Sequence, residues 1–373
     1  MRKIVFLTGT RADFGKIKSL IQSVEYHSGF EPFIFVTGMH LLKEYGYTLI
    51  EVERCGFENI STFHNHTDEA TMDLTLAKTI NGFSAYIKEV NPDLIVVHGD
   101  RVEALAGAIV GSLNNILVAH IEGGELSGTI DELIRHSVSK LSHIHYTSND
   151  EAKQRLIQMG ELEESIFTIG SPDVDIMFSN NLPNIEEVKC YYEIDFENFS
   201  VVMHHPVTTE VEKTEEEANQ LVDALIESDK NYVVIYPNND LGSKLILKAY
   251  ERLIGNRKFK IFPSIRFEYF LTLLKNSEFI IGNSSAGVRE APYYGIPTIN
   301  IGNRQLNRAS SSKIINVSCH KRDILEALAE LPIKTKEFTN SFGQGNSSIL
   351  FLKSLESDGF WTINHQKQFK DAL

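Results

Sequence analysis

Residues 94–136, LIVVHGDRVEALAGAIVGSLNNILVAHIEGGELSGTIDELIRH, constrain the fold most, because short apolar runs there end in carboxylates. Leu94-Ile95-Val96-Val97 reads as a buried strand that stops at His98-Gly99-Asp100-Arg101. An amphipathic helix follows. A second run, Ile116-Leu117-Val118-Ala119, then stops at His120-Ile121-Glu122-Gly123-Gly124-Glu125. In parallel α/β sheets neighbouring strands deliver their carboxyl ends to one crevice, where ligands sit. Asp100, Glu122 and, in the next helix start, Asp131 are therefore expected to converge. Two carboxylates held together repel, which raises at least one pKa toward neutrality, as acid/base work requires.

The same alternation of apolar strand and amphipathic helix runs through the first ~170 residues, the sign of a parallel sheet with helices on both faces. Residues 4–8 form the first strand, and Phe14, Ile17, Leu20, Ile21 and Val24 then recur at helical spacing. Residues 32–36 form the second strand, and residues 72–90 a long helix that Asn91-Pro92 stops. Strands at 94, 116, 144–146 and 166–169 complete a Rossmann-like unit. Residues 171–198 carry Pro172, Pro183 and several Asn, as an inter-domain connection does. A second alternating series follows at 200–203, 232–236, 259–262, 279–281 and 298–301. The fold class expected is α/β, with two Rossmann-like domains (1–174 and 175–351) flanking a cleft. A C-terminal helix over 352–373 is expected to pack back on the first domain.

The totals exclude several classes. A length of 373 residues suits two domains, each with its own core. A net charge of −14 argues against nucleic acid as a partner, so any anionic ligand needs cations gathered locally. No apolar run approaches the ~20 residues of a membrane span. The first residues, MRKIVFL, are too short an apolar patch for a signal peptide and read as a strand; a cytoplasmic location is expected. Cys55, Cys190 and Cys319 lie in no CxxC pattern, which suits a reducing compartment and neither disulfides nor zinc.

Several motifs carry chemistry, each with a plainer alternative. Thr129-Ile130-Asp131-Glu132 fits a capping box, with Asp131 in the first helical turn. Asp131 is then either a functional acid or one that only stabilises the helix. Asn283-Ser284-Ser285-Ala286-Gly287-Val288-Arg289-Glu290 follows an apolar strand and is expected to open a helix. Its free N–H groups suit a diphosphate, with Glu290 more than a turn further in and placed for ribose hydroxyls. A Ser N-cap followed by a solvated Glu is the alternative. Thr8 to Lys16 misses the P-loop pattern, because five residues separate Gly9 from Gly15 and Ile17 replaces the magnesium-binding Ser/Thr. Arg11 and Lys16 still stand where they could meet a phosphate or uracil. His204-His205 ends a strand, and alternation turns one of the two rings toward the cleft. No HExxH, Ser-His-Asp or Cys-His signature emerges, so neither metal nor covalent catalysis has support.

Taken together, GTRAD, TGMHLLKEYG, HGDRVEALAG, HIEGGELSGTIDELIRHSVSKLSHIH, HHPVTTE, YPNND, SIRFEYF and GNSSAGVREAPYYGIPTINIGNRQ closely resemble the hydrolysing UDP-N-acetylglucosamine 2-epimerases of bacterial sialic acid biosynthesis. The match runs in order from Thr8 to about Asn307. The resemblance implies a glycosyltransferase-B-like fold with its site in the interdomain cleft. It implies conversion of UDP-GlcNAc and water into N-acetylmannosamine and UDP, through anti elimination to 2-acetamidoglucal and hydration with inversion at C2. No nicotinamide, flavin or metal cofactor is implied. The family's site residues fall on Asp100, Arg101, Glu122 and Asp131 at the sugar end, with His40 near it. Arg11, His205, Asn238, Ser284, Ser285, Glu290 and Arg304 fall around UDP. The resemblance also implies a homodimer or homotetramer. A substrate of the UDP-2,4-diacetamido-trideoxyhexose type and a non-hydrolysing epimerase are the neighbouring alternatives; a glycosyltransferase would not need the acidic cluster.

Overall fold

Seven apolar segments build one all-parallel sheet: β1 (Arg2–Thr8), β2 (Phe30–Val36), β3 (Ile60–Thr62), β4 (Leu94–His98), β5 (Leu117–Ile121), β6 (Ile144–Thr147) and β7 (Ile166–Thr168). Their order is β3-β2-β1-β4-β5-β6-β7. The computed structural model describes residues 1–66, 71–127, 130–305, 313–332 and 341–371. Helices α1 (Arg11–Glu25), α2 (Leu49–Glu53), α3 (Met72–Val90), α4 (Val102–Leu113), α5 (Ile130–Leu141), α6 (Asp150–Gln158) and α7 (Pro172–Met177) join or follow the strands.

Local chemistry sets these elements. At the start of α1, Thr10 Oγ1 accepts from Asp13 N at 3.2 Å while Asp13 Oδ1 accepts from Thr10 N at 3.0 Å, a reciprocal cap. Phe14, Ile17, Leu20, Ile21 and Val24 on the same helix are buried. In α4 a Cβ at Gly107 would sit 2.6 Å from Val97 Cγ1, and one at Gly111 would sit 2.4 Å from Val118 Cγ2. Glycine at both positions lets α4 lie directly on β4 and β5, which fixes the depth of the strand ends.

The second sheet, also all parallel, is built from β8 (Ser200–Met203), β9 (Tyr232–Ile235), β10 (Phe259–Phe262), β11 (Ile280–Gly282), β12 (Thr298–Ile301) and β13 (Ile314–Val317), in the order β10-β9-β8-β11-β12-β13. Its helices are α8 (Ile185–Tyr191), α9 (Thr214–Glu227), α10 (Ser243–Tyr250), α11 (Phe267–Asn276), α12 (Glu290–Tyr293) and α13 (Lys321–Ala329). Each sheet is Rossmann-like, as the alternating sequence pattern requires.

The chain divides into one compact unit of Met1–Glu125, Asp131–Asn180 and Ser341–Leu373, and a second of Leu126–Ile130 and Asn181–Asn340. The boundaries expected at 174/175 and 351/352 thus fall at 180/181 and 340/341. The reason is local: Asp175 caps α14 (Ser347–Leu355), accepting from Ser347 N and Ser348 N at 2.8 Å each, so both segments stay with the first unit. Phe351 is fully buried against Phe6 and Tyr146, with ring centroids 6.4 and 4.9 Å away. The expected helix over 352–373 ends at Leu355. Beyond a short 3-10 turn (Phe360–Thr362) the described chain is irregular, and Lys367 Nζ donates to Ser139 O at 2.8 Å, at the carboxyl end of α5.

Candidate active site

In both sheets strand order reverses direction at one place, between β1 and β4 in the first and between β8 and β11 in the second. Carboxyl-end loops part at such a reversal and leave a ligand crevice. In the first sheet Asp100 and Arg101 follow β4, and Glu122 follows β5 directly. α5 carries Asp131 in its first turn and Arg135 one turn later. Arg135 Nη2 pairs with Asp100 Oδ2, and its Nη1 donates to the Glu122 carbonyl oxygen at 2.8 Å. One fully buried guanidinium therefore ties the Asp100 carboxylate to the backbone of Glu122.

The Glu122 carboxylate is 2 % exposed and receives its own partners. Ser171 Oγ donates to Oε1 at 2.6 Å, Lys16 Nζ lies 3.6 Å from the same oxygen, and His98 Nε2 lies 3.4 Å from Oε2. Lys16 Nζ is also 3.4 Å from Asp173 Oδ2. Glu122 adopts a φ of 64°, a left-handed conformation that costs a non-glycine residue of order 1 kcal/mol. Two bonds fix it there: its N–H donates to Tyr146 O at 2.8 Å, and its carbonyl holds Arg135. Such strain is retained where an acid has to be aimed. Arg101, at the N-terminus of α4, places Nε 3.2 Å from the buried Glu103.

His40 is fully buried, with Nε2 3.0 Å from Thr8 Oγ1 and Nδ1 2.9 Å from Thr48 Oγ1. Burial pushes its pKa down to about 4, so the ring is neutral. Sequence reasoning placed His40 near the sugar. The structure makes it a brace at the end of β1, with both nitrogens engaged. Lys16, expected at a phosphate or uracil, is 7 % exposed and ion-paired with Glu122 and Asp173. Arg11 opens α1, close enough to His40 to oppose its protonation. Thr129 and Gly128 lie outside the described residues.

In the second sheet Asn283, just past β11, is the hub. Its Oδ1 accepts from His205 N at 2.7 Å, its Nδ2 donates to His205 O at 2.8 Å, and its carbonyl takes Arg304 Nη1 at 3.2 Å and Gln305 Nε2 at 3.0 Å. A Cβ at Gly282 would meet Met203 O at 2.0 Å, so only glycine lets Asn283 come this near β8. Asn238 N donates to His205 Nδ1 at 3.0 Å, which puts the proton of a neutral His205 ring on Nε2. His205 and Arg304 are thus held by Asn283, and Asn238 joins them through the His205 ring. The His204 ring makes no hydrogen bond to that group and lines a cavity together with Asn283.

Ser284 caps a 3-10 turn (Ser285–Gly287), its Oγ accepting from Ala286 N at 3.3 Å. The single helix expected from Ser285 through Glu290 does not form. Pro292 has no N–H to offer the carbonyl four residues back and its ring would strike it, so α12 starts afresh at Glu290. Glu290 is 3 % exposed at that start, where the helix dipole favours a carboxylate, rather than solvated.

Sequence reasoning missed Arg135, Ser171, Asp173 and Asn283. Arg135 left a trace: with Asp131 and Ser139 it recurs every fourth residue, a polar line beside the apolar face of Ile134 and Val138. Among the described residues no group of three His, Cys, Asp or Glu side chains is placed to hold a metal.

Residues 22–356 match the family described as UDP-N-acetylglucosamine 2-epimerase. A UDP-N-acetylglucosamine 2-epimerase of Neisseria meningitidis serogroup B is 46 % identical over 375 residues, covering 100 % of this chain and 99 % of that one. A hydrolysing UDP-N,N'-diacetylbacillosamine 2-epimerase of Legionella pneumophila is 33 % identical over 355 residues, 93 % of this chain and 94 % of the relative. The solved UDP-GlcNAc 2-epimerase of Methanocaldococcus jannaschii, in complex with UDP-GlcNAc and UDP, shares the fold with a TM-score of 0.82 at 24 % identity, over 95 % of this chain and 99 % of that one. With strand-end acids bound by one arginine and a family match across most of its length, this chain belongs to the UDP-N-acetylglucosamine 2-epimerase family.

Proposed function

We propose that the chain is the hydrolysing type of this family, converting UDP-GlcNAc and water into N-acetylmannosamine and UDP, and so supplies the first sugar of sialic acid biosynthesis. The observation that carries the reading is the joining of Asp100 and Glu122 through Arg135 at adjacent strand ends, with Asp131 one turn earlier on the same helix. In the first step one of Asp100 or Glu122 takes the proton from sugar C2. The C1–C2 double bond forms, and the C1–O bond to UDP breaks on the opposite face. In the second step water adds its oxygen to C1 and C2 receives a proton on the other face, with Asp131 serving the transfer. Both steps move only protons, a water and a leaving group, so neither calls for a redox cofactor. Arg101, His205, Arg304 and the N–H groups at Ser284 and Ser285 stabilise the charge that grows on departing UDP. Arg11, Lys16, Asn238 and Glu290 bind the nucleotide, with His40 near the sugar.

The test is incubation with UDP-GlcNAc in D2O, followed by NMR. N-acetylmannosamine deuterated at C2, together with free UDP, is the expected outcome; UDP-ManNAc as product, or no turnover, rejects the reading. Asp100→Asn should lower kcat by about a thousandfold while UDP affinity stays within about threefold. A collapse of UDP binding with chemistry intact would sink the assignment. The Legionella relative supports a second reading, in which a UDP-2,4-diacetamido-trideoxyhexose is the preferred substrate. The ratio of kcat/KM for the two sugar nucleotides decides between them.

A further inference from the structure

A cavity of about 590 Å³ opens in the second unit at the carboxyl ends of β8, β12 and β13, walled by the first turns of α9. Asn283, which holds His205 and Arg304, stands at its wall, while His205, Asn238, Ser284, Ser285, Glu290 and Arg304 themselves do not line it. His204 does line it. This ring is 4 % exposed, and it makes no hydrogen bond among the described residues, with Nδ1 fully enclosed. A ring that lines a cavity and has no hydrogen-bond partner of its own keeps donor and acceptor capacity for a ligand. Burial, helped by Arg304, pushes the His204 pKa down to about 4, so at neutral pH the ring offers one donor and one acceptor.

The rest of the wall has the same mixed character. Asn316 Oδ1 is taken by Asn300 and Gln220 Oε1 by the N–H of Lys321, while neither amide nitrogen has a partner among the described residues. Burial and the neighbouring Glu217 carboxylate push the Cys319 thiol up to about 12, so it stays a donor toward that carboxylate. Lys213 offsets Glu210 at 2.6 Å, which leaves Glu216 and Glu217 as net negative charge at the cavity. Ile301 and Val317 supply an apolar strip. Interleaved donors and acceptors beside an apolar strip match hydroxyl groups on a carbon ring, and the acids repel phosphate.

We propose that this cavity is a second ligand site, which binds a neutral polyhydroxylated molecule of one or two sugar rings and is separate from the nucleotide site. The proposal rests on no part of the epimerase reading.

Saturation-transfer NMR on the full chain, with UDP present in excess, tests it. The probes are free N-acetylmannosamine, N-acetylglucosamine and glucose, each beside its 6-phosphate. Transfer to at least one neutral sugar that UDP does not displace is expected, with its 6-phosphate weakened about tenfold or more. Cys319→Phe, which fills the cavity, should abolish the transfer, and Gln220→Ala should weaken it about fivefold. Should Cys319→Phe fail to fold, Gln220→Ala carries the test alone. No UDP-resistant transfer at millimolar sugar, or transfer unchanged in the folded variants, overturns the proposal; the UDP-GlcNAc assay is unaffected by either result.

Discussion

Arg135 is a buried cation whose value lies in what it holds. Its guanidinium spans the Asp100 carboxylate and the strained Glu122 backbone, so its loss frees one acid and slackens the other. Arg135→Met should therefore lower kcat for UDP-GlcNAc by about a hundredfold or more with little change in KM, as loss of positioning does. It should also lower unfolding free energy by about 1–3 kcal/mol, because the buried Glu122 carbonyl and the partly buried Asp100 carboxylate lose their partner. Steady-state kinetics beside urea unfolding check both. Buried imidazoles supply a second expectation. The pKa of His40 and of His204 in the folded chain lies near 4, below the ordinary 6.5 that unfolding restores. Each therefore adds stability that is complete above pH 6.5 and is lost as pH falls toward 4. Urea midpoints measured at pH 7.5 and 5 should fall steeply, and His40→Asn should flatten that slope.

Among the elements, α14 is the most dependent on a single side chain. Asp175 receives its two leading N–H groups, so Asp175→Ala should cost about 1–2 kcal/mol in urea unfolding and speed amide exchange in α14 first. Elements with a strong pattern were legible in the sequence. The helix Met72–Val90 and the strands Phe259–Phe262 and Thr298–Ile301 stand where periodicity puts them. β3 and β13 carry only three or four residues with little apolar run, and went unseen. The Ser285–Glu290 break was readable in Pro292. The strand-end acids were legible because a strand announces where it stops. Their partners Ser171, Asp173 and Arg135 come from other parts of the chain, and only the packed fold brings them near.

At the scale of the whole molecule, the first unit is discontinuous in sequence, with its final core piece supplied by residues 341–371. Removing the chain from residue 341 onward should expose the Phe6 and Tyr146 face and leave the first unit aggregating, and Phe351→Ala alone should cost about 3–5 kcal/mol. Near-UV circular dichroism of the variants, with light scattering of the truncation, tests this. The route of the chain also imposes an order on its birth. The second sheet is complete by Val317 and can settle while the ribosome is still adding residues. The first sheet, although made earlier, waits with an open flank until Phe351 emerges. A pause or early stop before Phe351 therefore strands the half that was made first, and that nascent half is the one needing a chaperone.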